Sequence, residues 1–195
     1  MNNEVNMNKR ILQKRQTRNM LLKAAKKCFV KNGFLNTPAN KIAVEAGVAH
    51  GTLFSHFQNK ETLILEVIDI EMREIGEAIQ ELVSQAEGVE DILAKYLDLI
   101  IQEEQFFAVL AKEKPFYPLE LRRKIIFRES IIRSYIFKKI SEERSYLSDE
   151  EITASLNWLF AIIDYYLVSR ELFTSGQSVI NKFRNSILKT FRKLI

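Results

Sequence analysis

Both histidines of the chain, His50 and His56, lie in the stretch KIAVEAGVAHGTLFSHFQNKETL. Two imidazoles this close together could bind a metal ion or act as an acid–base pair. Positions six apart on a helix are rotated by about 240°, however, so the two rings point to different faces. The segment's only acids are Glu45 and Glu61, and the single cysteine, Cys28, lies in another predicted helix. The pattern therefore predicts neither a metal site nor a catalytic pair.

The composition predicts a soluble, all-helical protein. At 195 residues, with 47% hydrophobic and 28% charged residues, the chain can form one large domain or a small domain joined to a larger one. Only 6 glycines and 3 prolines leave few turns for many short strands. A single cysteine excludes an internal disulfide, and neither an unbroken apolar run of membrane-spanning length nor a leader is evident. We expect a cytoplasmic protein without a membrane partner.

The charge is unevenly distributed along the chain. The first 60 positions hold eleven of the 29 basic residues but only two of the 25 acidic ones, so this part carries +9 and the remainder −5. A basic head on an acidic body is typical of a protein that binds a polyanion with its head. A solvated basic face without a partner is the alternative when charge is considered by itself.

The basic third contains signals for three helices. Residues 1–8 are polar and aperiodic, which predicts a flexible arm. Apolar positions recur at helical spacing from Lys9 to Lys31 and predict the first helix. Thr37-Pro38 offers a helix start for a short second helix that Gly47 ends, and a third short helix follows from about Ala49 to His56.

The second and third predicted helices are separated by a tight turn that contains glycine. This arrangement is a helix-turn-helix, whose second member can enter the major groove of DNA. Its apolar side chains pack inward, and small and polar groups remain outside to meet base edges and phosphates. The inward residues are Val48, Leu53 and Phe57, and the outward ones are His50, Gly51, Thr52, Ser55 and His56.

The stretch LLKAAKKCFVKNGFLNTPANKIAVEAGVAHGTLFSHFQNKETLI, about a quarter of the chain, resembles the DNA-binding domain of the TetR (tetracycline repressor-like) transcriptional regulators. The resemblance implies base-edge or nearby backbone contacts for His50, Gly51 and Thr52, and phosphate contacts for Thr37, Ser55, His56 and Lys60. Two positions depart from the family pattern: Ala49 replaces a hydroxyl cap, and Phe54 replaces a tyrosine. Each histidine could instead be an ordinary surface residue.

The remaining residues predict long helices without an intervening linker. Their expected bounds are 60–85, 89–102, 104–113, 119–144, 148–174 and 178–194, about nine helices in all with the first three. Ser148 and Glu151 form a capping-box pattern at the start of the eighth helix. We therefore expect a helix-turn-helix domain over 9–59 and a larger helical domain over 60–195.

The resemblance also implies that this larger domain binds a small-molecule inducer between the fourth and eighth helices. The aromatic residues that we select as ligand contacts are Tyr96, Phe107, Phe127 and Trp158. Aromatic residues at helical spacing usually form the core, and this alternative stays open for each of them. As a group they favour an apolar or flat ligand. Both a cation held by Glu103, Glu104 or Asp164 and an acid held by Arg122, Arg123 or Arg128 remain possible.

The resemblance further implies a homodimer built from the last two long helices. The eighth predicted helix is apolar almost all round, so one side can face the core and another a partner subunit. The interface residues that we select are Phe160, Asp164, Phe183 and Ile187. Asp164 is isolated in the apolar run, and pairing at the interface or at a helix crossing is favoured over a ligand contact.

Two other classes of function remain to be weighed. An enzyme would need a cluster of titratable groups in the body, whereas both histidines lie in the head. A non-specific nucleic-acid-binding or RNA-binding protein would share the basic head but would not need the two long apolar helices. The sequence thus predicts a ligand-responsive repressor, without a cofactor, that leaves a palindromic double-stranded DNA operator when an apolar molecule binds. Activator and co-repressor variants stay open.

Overall fold

Every regular element of the described residues is a helix, which confirms the predicted all-α class. The computed structural model describes the backbone of residues 2–83 and 85–195, with side chains from Met7 onward. A single 3₁₀ turn, Lys114–Phe116, lies between α6 and α7. The α-helices of the described part are α1 Asn2–Asn32, α2 Ala39–Glu45, α3 His50–His56, α4 Lys60–Val83, α5 Val89–Gln102, α6 Glu104–Glu113, α7 Leu119–Glu143, α8 Asp149–Val168, α9 Arg170–Phe173 and α10 Val179–Phe191.

The first of two compact units ends at Ile68 and contains α1 to α3 and the beginning of α4. Gly33 ends α1 with a φ of 86°, in the left-handed region that favours glycine. The chain turns there, and the ring centroids of Phe29 and Phe34 lie 4.8 Å apart. Fully buried apolar side chains form the core of this unit: Leu21, Ala25, Phe29, Phe34, Ile42, Ala43, Leu53 and Leu63.

The second unit, Asp69–Ile195, contains the rest of α4 and the helices α5 to α10. The division falls inside α4, whereas the sequence places a domain boundary at the start of that helix. Completely buried side chains that hold this unit together include Ile79, Ile92, Phe106, Ile125, Ile136, Ile152, Val179 and Phe191. One continuous helix therefore contributes to both cores.

Two helices differ most from their predicted bounds. Helix α1 begins at Asn2 rather than at Lys9, because neither glycine nor proline interrupts residues 2–32 and a helix can extend without an apolar face. Met1, also assigned to the predicted arm, lies outside the described residues. Helix α8 ends at Val168 instead of continuing to Thr174, since Ser169 leaves the helical conformation with φ −98° and ψ 14°. The predicted capping box at the start of α8 is confirmed.

A buried carboxylate from α6 holds the first turn of α10. Glu104 accepts hydrogen bonds from the backbone N–H groups of Val179 and Ile180, both at 3.1 Å, and from the Ser178 hydroxyl. The side chain is only 6% exposed. The negative charge therefore stabilises the positive end of the α10 dipole and satisfies donors that have no partner inside the helix.

Replacing Glu104 by alanine is expected to lower the free energy of unfolding by about 2–4 kcal/mol, because buried backbone donors lose their acceptor. Urea unfolding followed by circular dichroism measures the change. Glu104→Gln keeps one acceptor oxygen and should cost less. Glu74→Ala, at an exposed position of α4, is the control and should change stability by under about 0.5 kcal/mol. Equal losses for Glu104→Ala and Glu74→Ala would contradict the anchoring role.

Candidate nucleic-acid interface and ligand cavity

Helices α2 and α3 form the predicted helix-turn-helix. Gly47 has a φ of 69° in the turn, and the backbone N–H of Val48 donates to the carbonyl of Ala43 at 3.0 Å. Leu53 of α3 is completely buried, and Phe57 just after the helix is 1% exposed. Glycine at the turn and apolar anchors on the inner face of α3 thus fix which side chains face outward.

The outward face of α3 consists of small and polar groups. His50, Gly51 and Ser55 are exposed, and Thr52 is half-buried. The Ser55 hydroxyl donates to the Thr52 carbonyl at 2.7 Å, and the His50 ring meets the edge of Phe54 with centroids 5.1 Å apart. The structure brings these predicted residues together on one short helix. Helix α3 lacks a side-chain cap at Ala49, as the departure from the family pattern predicts.

Thr37 does not have the position that the sequence predicts. Its side chain is fully buried, and its hydroxyl donates to the carbonyl of Gly33 at 2.6 Å. The helix start falls one residue later, with Pro38 as the N-cap residue of α2, so the threonine hydroxyl turns back toward the end of α1. Thr37 is therefore corrected from a phosphate contact to a buried link between α1 and α2.

His56 and Lys60 lie where α3 leads into α4. His56 is half-buried, and its Nδ1 is buried without a hydrogen-bond partner among the described residues. Burial, followed by the positive charges of Arg18 and Lys14, lowers the pKa of this imidazole. The Lys60 ammonium donates to the carbonyl of Leu35 at 2.7 Å, so this cation already ties α4 to the loop before α2.

Arg18 is a residue that the sequence pattern did not single out. Its guanidinium lies over the Phe57 ring, 4.2 Å from the centroid, and donates to the carbonyl of His56 and to the carboxylate of Glu66. One side chain of α1 thereby holds the C-terminal end of α3 and the first half of α4. In the sequence, Arg18 is only one basic residue among many. No local pattern distinguishes it, because its partners lie 38 and 48 positions away along the chain.

An internal cavity of about 40 Å³ lies in the second unit. Residues from α4 to α8 line it: Met72, Ile75, Tyr96, Ile100, Phe107, Leu110, Ala111, Lys114, Glu129, Ile132, Arg133, Phe160, Ile163, Asp164 and Leu167. Two of the aromatic residues selected as ligand contacts, Tyr96 and Phe107, are among them. Phe127 and Trp158 do not line the cavity: Phe127 is 61% exposed on α7, and Trp158 is half-buried on α8.

Charged groups form one part of the cavity wall. Lys114 donates to Glu129 at 2.8 Å and to Asp164 at 3.3 Å. Burial opposes the charged form of Lys114, but the two carboxylates outweigh it and raise the pKa of the ammonium. The guanidinium of Arg133 lies 4.0 Å from the centroid of the Phe160 ring. Asp164 therefore lines the cavity and pairs with Lys114 of its own chain, which is the pairing at a helix crossing that the sequence left open beside the interface.

A wider groove of about 410 Å³ separates the second half of α4 from α7. Arg128 bridges it by donating to both carboxylate oxygens of Asp69, at 2.7 and 3.2 Å. Met72 lines both this groove and the internal cavity. A flexible, unbranched side chain thus forms a common wall between the open groove and the apolar interior.

Two of the residues predicted for a dimer interface are buried in the protomer. Phe160 is 8% and Ile187 2% exposed, because the helical phase directs both toward the core. Phe183 stacks on Tyr166 with ring centroids 4.4 Å apart. The exposed face of α8 is formed instead by Ala154, Asn157, Ala161, Tyr165 and Val168.

Two other kinds of site, a bilayer-spanning helix and a metal-binding group of side chains, are absent from the described residues. Between residues 2 and 195, leaving out residue 84, no helix is long and apolar enough to cross a bilayer. Within the same ranges, three or more histidine, cysteine, aspartate or glutamate residues nowhere assemble into a group that could hold a metal ion.

Comparison with known proteins relates this geometry to transcriptional regulators. Residues 21–67 match the family "Bacterial regulatory proteins, tetR family". The chain is 27% identical over 128 residues to the fatty acid metabolism regulator protein of Bacillus subtilis (strain 168), a match that covers 64% of each chain. It is 30% identical over 95 residues to the regulator AcrR of Shigella flexneri, covering 46% of this chain and 44% of that one.

The fold is shared with solved structures along most of the chain. The regulator FadR from Bacillus subtilis, crystallised with stearoyl-CoA, superimposes with a TM-score of 0.76 at 22% identity, over 90% of this chain and 98% of FadR. FadR from Bacillus halodurans gives the same TM-score at 19% identity, over 90% of this chain and 94% of that one. These relatives are regulators and not enzymes, in agreement with the sequence-based expectation. The helix-turn-helix and the family match together show that residues 21–67 belong to the tetR family of bacterial regulatory proteins, and the chain as a whole shares its fold with the FadR regulators.

Proposed function

We propose that this regulator is a homodimeric repressor that binds a palindromic operator and is released from it when a small, largely apolar molecule binds the second unit. The observation that carries the proposal is α4. This continuous helix begins beside α3 in the first unit and lines the internal cavity in the second through Met72 and Ile75. A displacement of its second half can be carried along the helix to its first half.

The DNA-binding part of the proposal rests on the outward face of α3 and the basic charge of the first third. His50, Gly51 and Thr52 are the residues proposed to reach base edges, with Ser55, His56 and Lys60 near the backbone. Selection of duplexes from a random pool, followed by fluorescence-polarisation titration, tests it. Preference for a two-fold symmetric site over a scrambled duplex of more than about tenfold supports specific recognition. A smaller ratio would leave only non-specific nucleic-acid binding.

The effector part rests on the size and lining of the cavity. About 40 Å³ holds little more than water, far less than the roughly 300–1,000 Å³ of a typical ligand pocket. A ligand must therefore push the lining apart, and Met72 and Ile75 of α4 are part of that lining. We propose long-chain fatty acyl thioesters of coenzyme A as the effector class, with the apolar acyl chain as the part that enters the cavity. The mostly apolar wall and the stearoyl-CoA of the related FadR support this choice.

Stearoyl-CoA at saturating concentration is expected to weaken operator affinity by about 5- to 150-fold, the range of common allosteric coupling energies. Because coupling is reciprocal, operator DNA should weaken stearoyl-CoA binding by the same factor. Polarisation of labelled operator and calorimetry of the ligand measure the two sides. Free coenzyme A, which lacks the acyl chain, is the ligand control.

Two matched variants examine the cavity in that experiment. Phe107→Leu changes a cavity residue and should alter the affinity for stearoyl-CoA, whereas Phe127→Leu changes an exposed ring of α7 and should not. Strong binding of stearoyl-CoA with unchanged operator affinity would reject the coupling. Tighter operator binding in its presence would identify a co-repressor, which also contradicts release.

A further inference from the structure

The first half of α1 projects as an exposed basic segment. Every side chain from Met7 to Gln16 is exposed, and this segment lies before residues 21–67, which match the family. It carries Lys9, Arg10, Lys14 and Arg15 and no acidic residue. Four positive charges on exposed side chains form a surface on which an anionic partner can bind.

The helical phase of α1 places most of these charges on one side. At about 100° per residue, Arg10, Lys14 and Arg15 lie within about 80° of Arg18, whereas Lys9 lies on the opposite side. Arg18 donates to the carbonyl of His56, the last residue of α3. The stripe that contains Arg10, Lys14 and Arg15 thus continues from the end of α3 along α1.

The position of Lys14 agrees with this geometry. After burial and the charge of Arg18, the charge of Lys14 is the next cause that lowers the pKa of His56, so its ammonium lies near the proposed DNA-facing surface. From Arg10 to Arg18 the helix rises by about 12 Å, which corresponds to three or four base pairs along a duplex.

We propose that the first half of α1 is a second DNA-contacting element, which binds backbone phosphates flanking each half-site through Arg10, Lys14 and Arg15. This inference rests on the proposed operator binding and extends it beyond the helix-turn-helix. Duplex DNA is favoured over a membrane surface because the exposed apolar residues Met7 and Ile11 lie within the basic stripe. Helices that bind membrane surfaces separate their apolar and basic faces.

The salt dependence of operator binding by the full-length protein tests the inference. Each phosphate contact contributes about 0.9 to the slope of log affinity against log salt concentration, so Arg10→Ala with Lys14→Ala should reduce the slope of a dimer by about 2–4. The preferred operator sequence should not change, because phosphates carry no base information. Circular dichroism checks that the variant retains its helical content.

Lys9→Ala with Lys23→Ala is the matched control. It removes the same charge from exposed positions of α1 on the side away from Arg18, and its slope should change by less than about 1. Equal changes of the salt slope in both double variants would show that the slope depends on net charge alone, and this result would overturn the proposal. So would an unchanged slope in the Arg10 and Lys14 variant, or an altered operator consensus.

Two further results separate this inference from its alternatives. If the wild-type protein shows no preference for any duplex, operator binding itself fails, whereas a specific wild-type protein with an unaffected double variant rejects only the role of α1. Binding to vesicles of phosphatidylserine and phosphatidylcholine that depends on Arg10 and Lys14, together with an unchanged DNA slope, would assign the segment to a membrane and overturn the proposal.

Discussion

Gly51→Glu is expected to abolish specific operator binding without weakening the fold. Gly51 lies in the first turn of α3 on the exposed face, and no atom of the described residues lies within 4 Å of the Cβ that a substitution would add. The protein itself therefore has room for a side chain, and most residues favour a helix over glycine by about 0.5–1 kcal/mol. An added carboxylate would meet the phosphates and base edges at close range, so affinity should fall to the non-specific level or below it.

The measurement compares the operator affinity and the free energy of unfolding of the same variants. Gly51→Ala adds only a methyl group and should lose less affinity than the glutamate. Gly76→Ala is the control, because this glycine lies inside α4 with equally open space around its Cβ. It should raise stability by up to about 1 kcal/mol and leave operator binding intact. A Gly51→Glu protein that still prefers its operator would exclude α3 as the recognition helix.

The helix-turn-helix could be predicted from sequence because its signals are local. Gly47 marks the turn, Leu53 lies on the inner face of α3, and the buried Phe57 directly follows that helix. The remaining residues of α3 could therefore be assigned to the outward face. The error at Thr37 arose from a shift of one residue. With Pro38 as the N-cap residue, the hydroxyl no longer faces solvent but donates to Gly33.

The cavity could be predicted only in part, because its charged wall joins distant positions. Lys114 meets Glu129 and Asp164, which are 15 and 50 residues away along the chain. Periodicity identifies which residues share a helix face but not which face meets which neighbour. Tyr96 and Phe107 therefore line the cavity, whereas Phe127 lies outside it.

The same limit of periodicity explains why two of the predicted interface residues, Phe160 and Ile187, are buried inside the protomer. Helix α8 is apolar on nearly all sides, and a hydrophobic pattern cannot say which side the protomer covers by itself. In the structure, Phe160 packs inside, whereas Tyr165 and Val168 are 51% and 46% exposed. A charge at the buried Ile187 would unfold the second unit rather than report on a dimer, so an informative substitution must be on the exposed side of α8.

That exposed side has the spacing of a helix–helix seam. The exposed residues recur at intervals of three or four, which is the pattern of a stripe along one helix face. They occupy positions 154, 157, 161, 165 and 168. Ala154 and Ala161 are small enough for a second helix to approach closely. Leu172, in α9 just beyond α8, is a further apolar side chain that is 81% exposed. A second copy of the chain is the partner that we propose for it, since two-fold related recognition helices match a palindromic operator.

Ala161→Glu is expected to convert the proposed dimer into a monomer and to lower operator affinity by about 10³-fold or more, from the specific toward the non-specific range. Two glutamates would meet near the two-fold axis in an apolar contact, where burial of an unpaired charge is costly. The fold should persist, because the position is exposed and glutamate is a good helix former.

Sedimentation at micromolar concentration measures the assembly, and polarisation measures operator affinity. Gln105→Glu adds the same charge at an exposed position of α6 and should leave both unchanged. A wild-type protein that sediments near 22.8 kDa, or an Ala161→Glu variant that remains dimeric, would place the interface elsewhere or exclude it.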